Sequence, residues 1–244
     1  MSGWLILALI ILSSSIPVLA VFFWFHVSRY PLSSIRFLLI VLAGAAAFFP
    51  ALVLQSFFPQ DFSIPGRLGL IIQIFLPVAL TEEFSRLLVL LVFFYITRKI
   101  DAGRRSIETI HSGVSASVSA PAGYGTVIYG SAVGLVAGFG FAILESAAYG
   151  AANPGVTLLR LFTAAPIHGA CGARIGAAAL LFRTHPTQAL FRFLTAVMIH
   201  GIYNFMIVIP GFISIAAVLI ALFSLASAIL SIHGGMKPRQ TGAA

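Results

Sequence analysis

The stretch from Arg67 to Arg98 reads RLGLIIQIFLPVALTEEFSRLLVLLVFFYITR, apolar almost throughout and interrupted near its centre by Glu82, Glu83 and Arg86. Because about 20 apolar residues span a bilayer, this stretch can cross one with a tilt or a kink. Each charge near the membrane midplane costs about 2.5–3.5 kcal/mol. Arg86 stands at i+4 from Glu82 and i+3 from Glu83, where helix side chains meet. The trio is therefore either a buried ion pair or the centre of a reactive site.

The composition indicates an integral membrane protein. The chain of 244 residues is 60% hydrophobic and only 8% charged, whereas soluble domains carry roughly 25% charged residues. The net charge of +8 is not gathered in a basic cluster with interleaved aromatic residues, so we expect no nucleic-acid partner. The single cysteine, Cys171, excludes an intrachain disulfide. We predict one integral membrane domain over residues 1–244.

Seven hydrophobic segments are long enough to be transmembrane helices, which predicts an all-α polytopic membrane bundle. They cover approximately residues 3–25, 37–58, 68–97, 125–149, 157–182, 189–209 and 211–232. The first segment lacks a basic n-region and is longer than the apolar part of a signal peptide, which favours a retained helix. Cleavage after Val18-Leu19-Ala20 stays an alternative. Residues 98–124 are predicted to form a mobile cytoplasmic loop.

Basic residues indicate the orientation of the bundle. The second and fourth connections carry only Arg67 and Arg160. Ten basic residues occupy the other connections and the tail: Arg29, Arg36, Arg98, Lys99, Arg104, Arg105, Arg183, Arg192, Lys237 and Arg239. By the positive-inside rule the N-terminus is outside and the C-terminus is cytoplasmic. This alternation requires an odd number of crossings.

Glu145 is predicted to face the interior of the bundle. Gly130, Gly134 and Gly138 recur every four residues on the same segment, and such a ridge of small residues lets helices approach closely. The ridge continues in helical steps to Glu145. A catalytic or metal-binding carboxylate and a neutral, hydrogen-bonded structural carboxyl are both compatible with this position.

Two histidines also lie within the predicted transmembrane segments. His168 shares a face of small residues on the fifth segment, and His200 lies one turn before Asn204 on the sixth. An amide at that spacing can orient an imidazole or donate to an oxyanion, although interhelical hydrogen bonding is the structural alternative. In the predicted topology the two histidines and Asn204 lie at depths in the membrane that overlap those of Glu82, Glu83 and Glu145. A water-containing site requires such a coincidence.

Two further polar residues of the fifth segment receive no catalytic role. Arg174 is displaced around the helix from His168, and it either pairs with an acid or snorkels toward the cytoplasmic side. Cys171 could pair with His168, but a cysteine in an apolar helix is usually an inert small hydrophobe.

Carboxylates and imidazoles in one site could support hydrolysis. Glu145, His168 and His200 could bind zinc or another divalent metal, with a fourth position open to water. Glu82 or Glu83 would then be the general base. Without a metal, a glutamate could activate water directly. A proton-coupled transporter and a non-catalytic scaffold subunit are the alternative functions.

The ordered motifs resemble the PrsW family of polytopic intramembrane proteases, which shares a superfamily with the type II CAAX prenyl endopeptidases and the Aph subunit of γ-secretase. The motifs are Glu82-Glu83-x-x-Arg86, Phe141-x-x-x-Glu145, His168 and His200-x-x-x-Asn204. The similarity extends over residues 68–208. Two positions depart from the family pattern, since Arg86 replaces a common Lys and Asn204 replaces a common Asp.

The resemblance implies hydrolysis of a peptide bond in a membrane-anchored protein substrate. It assigns catalytic roles to Glu82, Glu83, Glu145, His168 and His200. Arg86 and Asn204 would support them. It also implies a multi-pass protein in the plasma membrane of a bacterium or archaeon.

Overall fold

The computed structural model describes residues 3–28, 30, 32–58, 66–112, 126–152 and 159–236. These residues are helical apart from short turns, which confirms the all-α prediction. The elements are α1 (Gly3–Ser14), α2 (Ile16–Val27), α3 (Ser34–Ala46), α4 (Phe48–Ser56), α5 (Arg67–Ile74), a π-helical segment (Phe75–Leu80), α6 (Thr81–Ser112), α7 (Thr126–Ala152), α8 (Ala164–Leu181), α9 (Pro186–Ile207) and α10 (Phe212–Met236). Predictions that fall on 113–125, 153–158 and 237–244 lie outside the described residues.

The first two predicted segments are each divided by one turn residue. Ser15 separates α1 from α2, and Ala47 separates α3 from α4. In both cases a proline, Pro17 or Pro50, follows in the first turn of the second helix. Proline is tolerated there because its missing N–H would have no intrahelical partner.

Five helical spans in the described part of the chain are long and apolar enough to cross a membrane. They are Ala8–Val27, Ser34–Ser56, Val127–Gly150, Pro186–Ile207 and Phe212–Gly235. Many large apolar side chains on these spans are exposed, as expected of a surface that contacts lipid rather than water. The protein is therefore a multi-pass membrane protein. The total of seven crossings and the orientation stay predictions.

Helices α7 and α8 form the centre of the bundle. Nearly every residue of α8 is buried, and α7 packs against α8 and α3. The two predicted ridges of small residues face each other, as a Cβ atom on Gly134 would overlap the backbone of Gly172. This confirms that glycine permits close approach at this interface, where van der Waals packing stabilises helix pairs in lipid.

The loop predicted for residues 98–124 begins later than expected. Helix α6 continues through Ser112, because the charged residues that end the apolar pattern at Arg98 and Lys99 are good helix formers. The extension is attached to the start of α3, since Nη2 of Arg36 lies 2.5 Å from Oδ1 of Asp101. The end of the hydrophobic segment is thus not the end of the helix.

Candidate functional site

A π-helical segment directly precedes the first turn of α6, which contains the central charges. Pro77 lies within this segment, and it cannot donate a backbone hydrogen bond to the ladder. The hydroxyl of Thr81 donates to the carbonyl of Pro77, four residues earlier, at 2.6 Å. Such π-turns are frequent at functional sites because they change the direction in which the following side chains point. Here Glu82 and Glu83 both become buried.

Glu83 is held between two partners. Its Oε1 atom lies 2.5 Å from Nη2 of Arg86 and 2.7 Å from Nδ1 of His200. A carboxylate paired with a guanidinium can only accept, so Nδ1 of His200 carries the proton. This leaves Nε2 of His200 on the opposite edge of the ring, 3.8 Å from Oε2 of Glu82.

Arg86 joins three elements of the site. It is almost completely buried, and its Nη1 donates to the carbonyl oxygen of His168 at 3.3 Å. Its guanidinium lies 4.7 Å from the ring centroid of Phe141 on α7. The charge therefore receives a carboxylate, a carbonyl and an aromatic face, the combination that makes a buried guanidinium tolerable.

Glu82 faces a cavity instead of the core. Its Oε1 accepts a hydrogen bond from Nε2 of Gln55 at 3.3 Å, and its Oε2 has no hydrogen-bond partner among the described residues. The cavity has a volume of about 310 Å³. It is lined by Phe48, Ala51, Leu52, Gln55, Val78, Glu82, Phe141, Glu145, Ala148 and Tyr149.

Glu145 reaches the same cavity from α7 and contacts a histidine and an arginine. Its Oε2 contacts Nε2 of His168 directly and lies 2.6 Å from Nη2 of Arg160. Arg160 also lies over the ring of Tyr149, at 4.3 Å from the centroid. Glu145 therefore holds His168 on one side while its own charge is balanced on the other.

Close packing determines where His168 lies. A Cβ atom on Gly138 would overlap the carbonyl group of His168, so the glycine allows α8 to come close enough to α7 for the imidazole to meet Glu145. The rings of His168 and His200 are 5.0 Å apart at an interplanar angle of 84°. The two imidazoles thus share one buried space.

Three side chains could hold a metal ion. One ligand atom each from Glu82, His168 and His200 lies within 4.8 Å of the other two. Nδ1 of His168 and Oε2 of Glu82 lack hydrogen-bond partners among the described residues, and each imidazole contacts a glutamate with its other nitrogen. Metal-binding histidines have this second contact. The residues present therefore fit a divalent cation.

The structure brings all five predicted catalytic residues, and Arg86, into one continuous cluster. The predicted metal ligands were Glu145, His168 and His200, whereas the group that meets in space has Glu82 in place of Glu145. Asn204 is half-buried, and no hydrogen bond joins it to the site among the described contacts. Cys171 is buried against the carbonyl of Ala196, as expected of an inert cysteine.

A comparison with known families identifies the chain. The model of the PrsW family of intramembrane metalloproteases matches residues 34–228. The protein belongs to the PrsW family. The match extends over α3 to α10 and includes every residue of the cluster just described. No curated protein and no solved structure matches the chain significantly.

Membership of the PrsW family agrees with the predicted class of membrane protease, and the structure adds two residues to the site. Gln55 and Arg160 contact Glu82 and Glu145. The spacing from Arg160 to His168 is PrsW-like, but the sequence assigned a site role to neither residue. Gln55 and Ser56 are the only polar residues of an otherwise apolar helix, and the isolated amide is the signal that could have found Gln55. Arg160 looked like a topological charge at the end of a helix.

Proposed function

We propose that this PrsW protein hydrolyses a peptide bond in a membrane-anchored protein substrate, within or near the bilayer. One observation carries the proposal: two carboxylates, Glu82 and Glu145, line a cavity that adjoins a pair of buried imidazoles. An apolar cavity with a few converging polar groups is the usual form of an active site. Its apolar lining suits a substrate segment that leaves the lipid.

A divalent cation fits the donor set, and we propose that Glu82, His168 and His200 hold it. Two imidazole nitrogens and one carboxylate oxygen are ligands that zinc accepts in catalytic sites. The bound ion would supply Lewis-acid activation of water and of the scissile carbonyl. In this arrangement Glu83 fixes the orientation of His200 and Glu145 that of His168.

Glu145 is the carboxylate that remains to move a proton. It lines the cavity and is not one of the three residues that meet around the candidate metal position. In this role it accepts a proton from the attacking water and returns it to the leaving amine, as general acid–base catalysis requires. Arg160 keeps its carboxylate oriented through the 2.6 Å contact.

The proposed topology has seven crossings, with the N-terminus outside and the C-terminus in the cytoplasm of a bacterial or archaeal cell. It adds α5–α6 and α8 to the five spans described above. Nearly all of α8 is buried, and the central charges of α6 face the inside of the bundle, which shields these polar groups from lipid. Ser28 and His185 lie in connections on the predicted cytoplasmic side, and Gly211 lies in a turn on the predicted outer side. The accessibility of single cysteines introduced at these positions would test the orientation.

The proposed reaction predicts new protein termini in the membrane. Membranes from cells that express the wild type should contain N-termini that are absent with Glu82→Gln, Glu145→Gln or His200→Ala, and present with the control Cys171→Ala. If no termini depend on the wild type, or if the three variants produce them at the wild-type rate, the protease assignment is lost.

Metal analysis tests the ion separately. Purified wild-type protein should contain one zinc or other divalent ion per chain, and a His168→Ala, His200→Ala double variant should contain none. Cleavage by chelated, metal-free protein would refute the ion and leave Glu82 as the group that activates water directly.

A further inference from the structure

Arg174, near the middle of α8, has no role in the site described above. It is half-buried in a helix that is otherwise almost completely buried. Its Nη1 donates to the carbonyl oxygen of Ala170 at 2.8 Å, and no carboxylate pairs with it in the part of the chain that the structure describes. Charged residues inside membrane proteins are costly and usually have a partner or a function. A guanidinium has five N–H donors. The single bond to Ala170 therefore leaves most of the Arg174 donors for a ligand.

A cavity between α8 and α9 faces this arginine. Its volume is about 490 Å³, and it is lined by Arg174, Thr187, Gln188, Phe191, Arg192 and Thr195. The lining contains two arginines and three uncharged polar side chains but no acid. Two positive charges on one cavity repel each other unless an anion lies between them. The cavity is therefore complementary to an anionic group with several acceptor oxygens, such as a phosphate.

The position of the cavity indicates where such a group comes from. Arg174 is about 10 Å before the end of α8 at the helical rise per residue, and Thr187 and Gln188 lie in the first turn of α9. The Arg174 guanidinium itself turns back one helical turn to Ala170, so the level of the cavity is given by Thr187 and Gln188 at the end of the α9 span. The cavity thus lies at the level of lipid headgroups.

The outer rim of the cavity is apolar and open toward lipid. Phe191 is 72% exposed, and its neighbours Leu190 and Leu194 are also exposed. A site for a soluble anion has no need of this rim, whereas a phospholipid would place its acyl chains along it. We propose that Arg174 and Arg192 bind the phosphate of an anionic phospholipid whose acyl chains lie along α9. Basic pockets between membrane helices bind lipid headgroups in this manner.

Lipid binding to the full-length protein tests this site. Native mass spectrometry of purified protein should show retained phosphatidylglycerol and little phosphatidylcholine at equal concentrations. Arg174→Gln and Arg192→Gln should each weaken phosphatidylglycerol binding roughly tenfold through the loss of charge-assisted hydrogen bonds. Arg174→Lys, which keeps the charge, should retain most of it. Arg192 lies on α9, which is more exposed than α8. Arg192→Gln therefore provides the test if Arg174→Gln does not fold.

Arg183→Gln is the matched control. Arg183 is exposed next to the α8–α9 turn and lines a different cavity, with Arg98 and Leu91, so this variant loses the same charge near the same membrane surface. Full binding by Arg183→Gln supports the site. An equal loss in all three glutamine variants would indicate diffuse attraction and overturn it, as would equal retention of the two lipids. Displacement of phosphatidylglycerol by inorganic phosphate alone would assign the cavity to a soluble anion and refute the lipid.

Discussion

Oε1 of Glu83 lies 2.7 Å from Nδ1 of His200, a contact between two helices that are far apart in the sequence. The same oxygen accepts from Arg86 at 2.5 Å. Oε2 has no hydrogen-bond partner among the described residues in either of the two adjacent glutamates. They differ in their surroundings, since Glu83 is held by Arg86 and His200 whereas Glu82 lines the cavity. The two carboxylates differ by about 100° around the helix, and this rotation separates their environments.

Removal of the negative charge at Glu83 should destabilise the folded protein. Glu83→Gln leaves the Arg86 guanidinium buried without its carboxylate, and breaking a buried ion pair costs about 3–5 kcal/mol. Glu82→Gln should cost less, because Oε2 of Glu82 is 4.0 Å from Nη2 of Arg86. Thermal unfolding of the purified variants in detergent measures the difference. The combination of Glu83→Gln with Arg86→Met should recover part of the loss, and equal melting temperatures for both single variants would contradict this prediction.

Gln55 should affect the rate of cleavage without affecting folding. Gln55→Leu removes the hydrogen bond to Oε1 of Glu82, and loss of such an outer partner typically lowers activity by about 10–100-fold. The melting temperature should stay near that of the wild type because the helix and its apolar contacts are kept. Ser56→Ala is the control, since Ser56 is exposed and its hydroxyl donates only within α4, to Val53. Wild-type cleavage by Gln55→Leu would exclude a positioning role.

Arg160 should position Glu145 through both charge and shape. We expect Arg160→Gln to lower the cleavage rate by about 10–100-fold, the usual effect of removing a residue that holds a site residue in position. Arg160→Lys should recover only part of the rate, because an ammonium lacks the planar face that lies over Tyr149. Tyr149→Phe keeps the ring and should cleave normally. A lysine variant as active as the wild type would show that only the charge matters.

Gly138 should tolerate no side chain. Its Cβ position is filled by the carbonyl group of His168, so Gly138→Ala must separate α7 from α8 and move His168 away from Glu145. Overpacking of this kind costs about 1–3 kcal/mol, and cleavage should be lost. Gly234→Ala is the control, as that position is open. Melting temperatures and cleavage rates of the two alanine variants test the packing, and a fully active Gly138→Ala would refute it.

The sequence alone was sufficient for the class of fold, and it selected most of the polar residues that the structure brings together, but not Gln55 or Arg160. Membranes are spanned by helices or by closed barrels, and barrel strands are short and alternate apolar with polar residues. Continuous apolar segments of about 20 residues therefore determine an all-α membrane bundle. Charged and polar side chains inside those segments are costly enough to be rare, which is why Glu82, Glu83, Glu145, His168 and His200 could be selected one at a time.

Helix ends were harder to predict from the same pattern. Hydrophobicity reports where the lipid ends, whereas the helix of α6 continues to Ser112 through charged residues that favour helix equally well. The turns at Ser15 and Ala47 and the π-helical segment also have weak sequence signals, because proline marks a region and not an exact boundary.

Only the tertiary structure decided how the polar groups are partnered. The i+3 and i+4 spacings place both glutamates near Arg86, and nothing local distinguishes them. The distinction comes from other helices, since α9 brings His200 to Glu83 and α4 brings Gln55 to Glu82. Likewise Glu145 meets Arg160 and His168 only because the glycines of α7 allow α8 to approach. Side-chain pairing between helices depends on how the helices are rotated and how far apart they lie. Packing determines both quantities, and the spacing of residues within one helix does not.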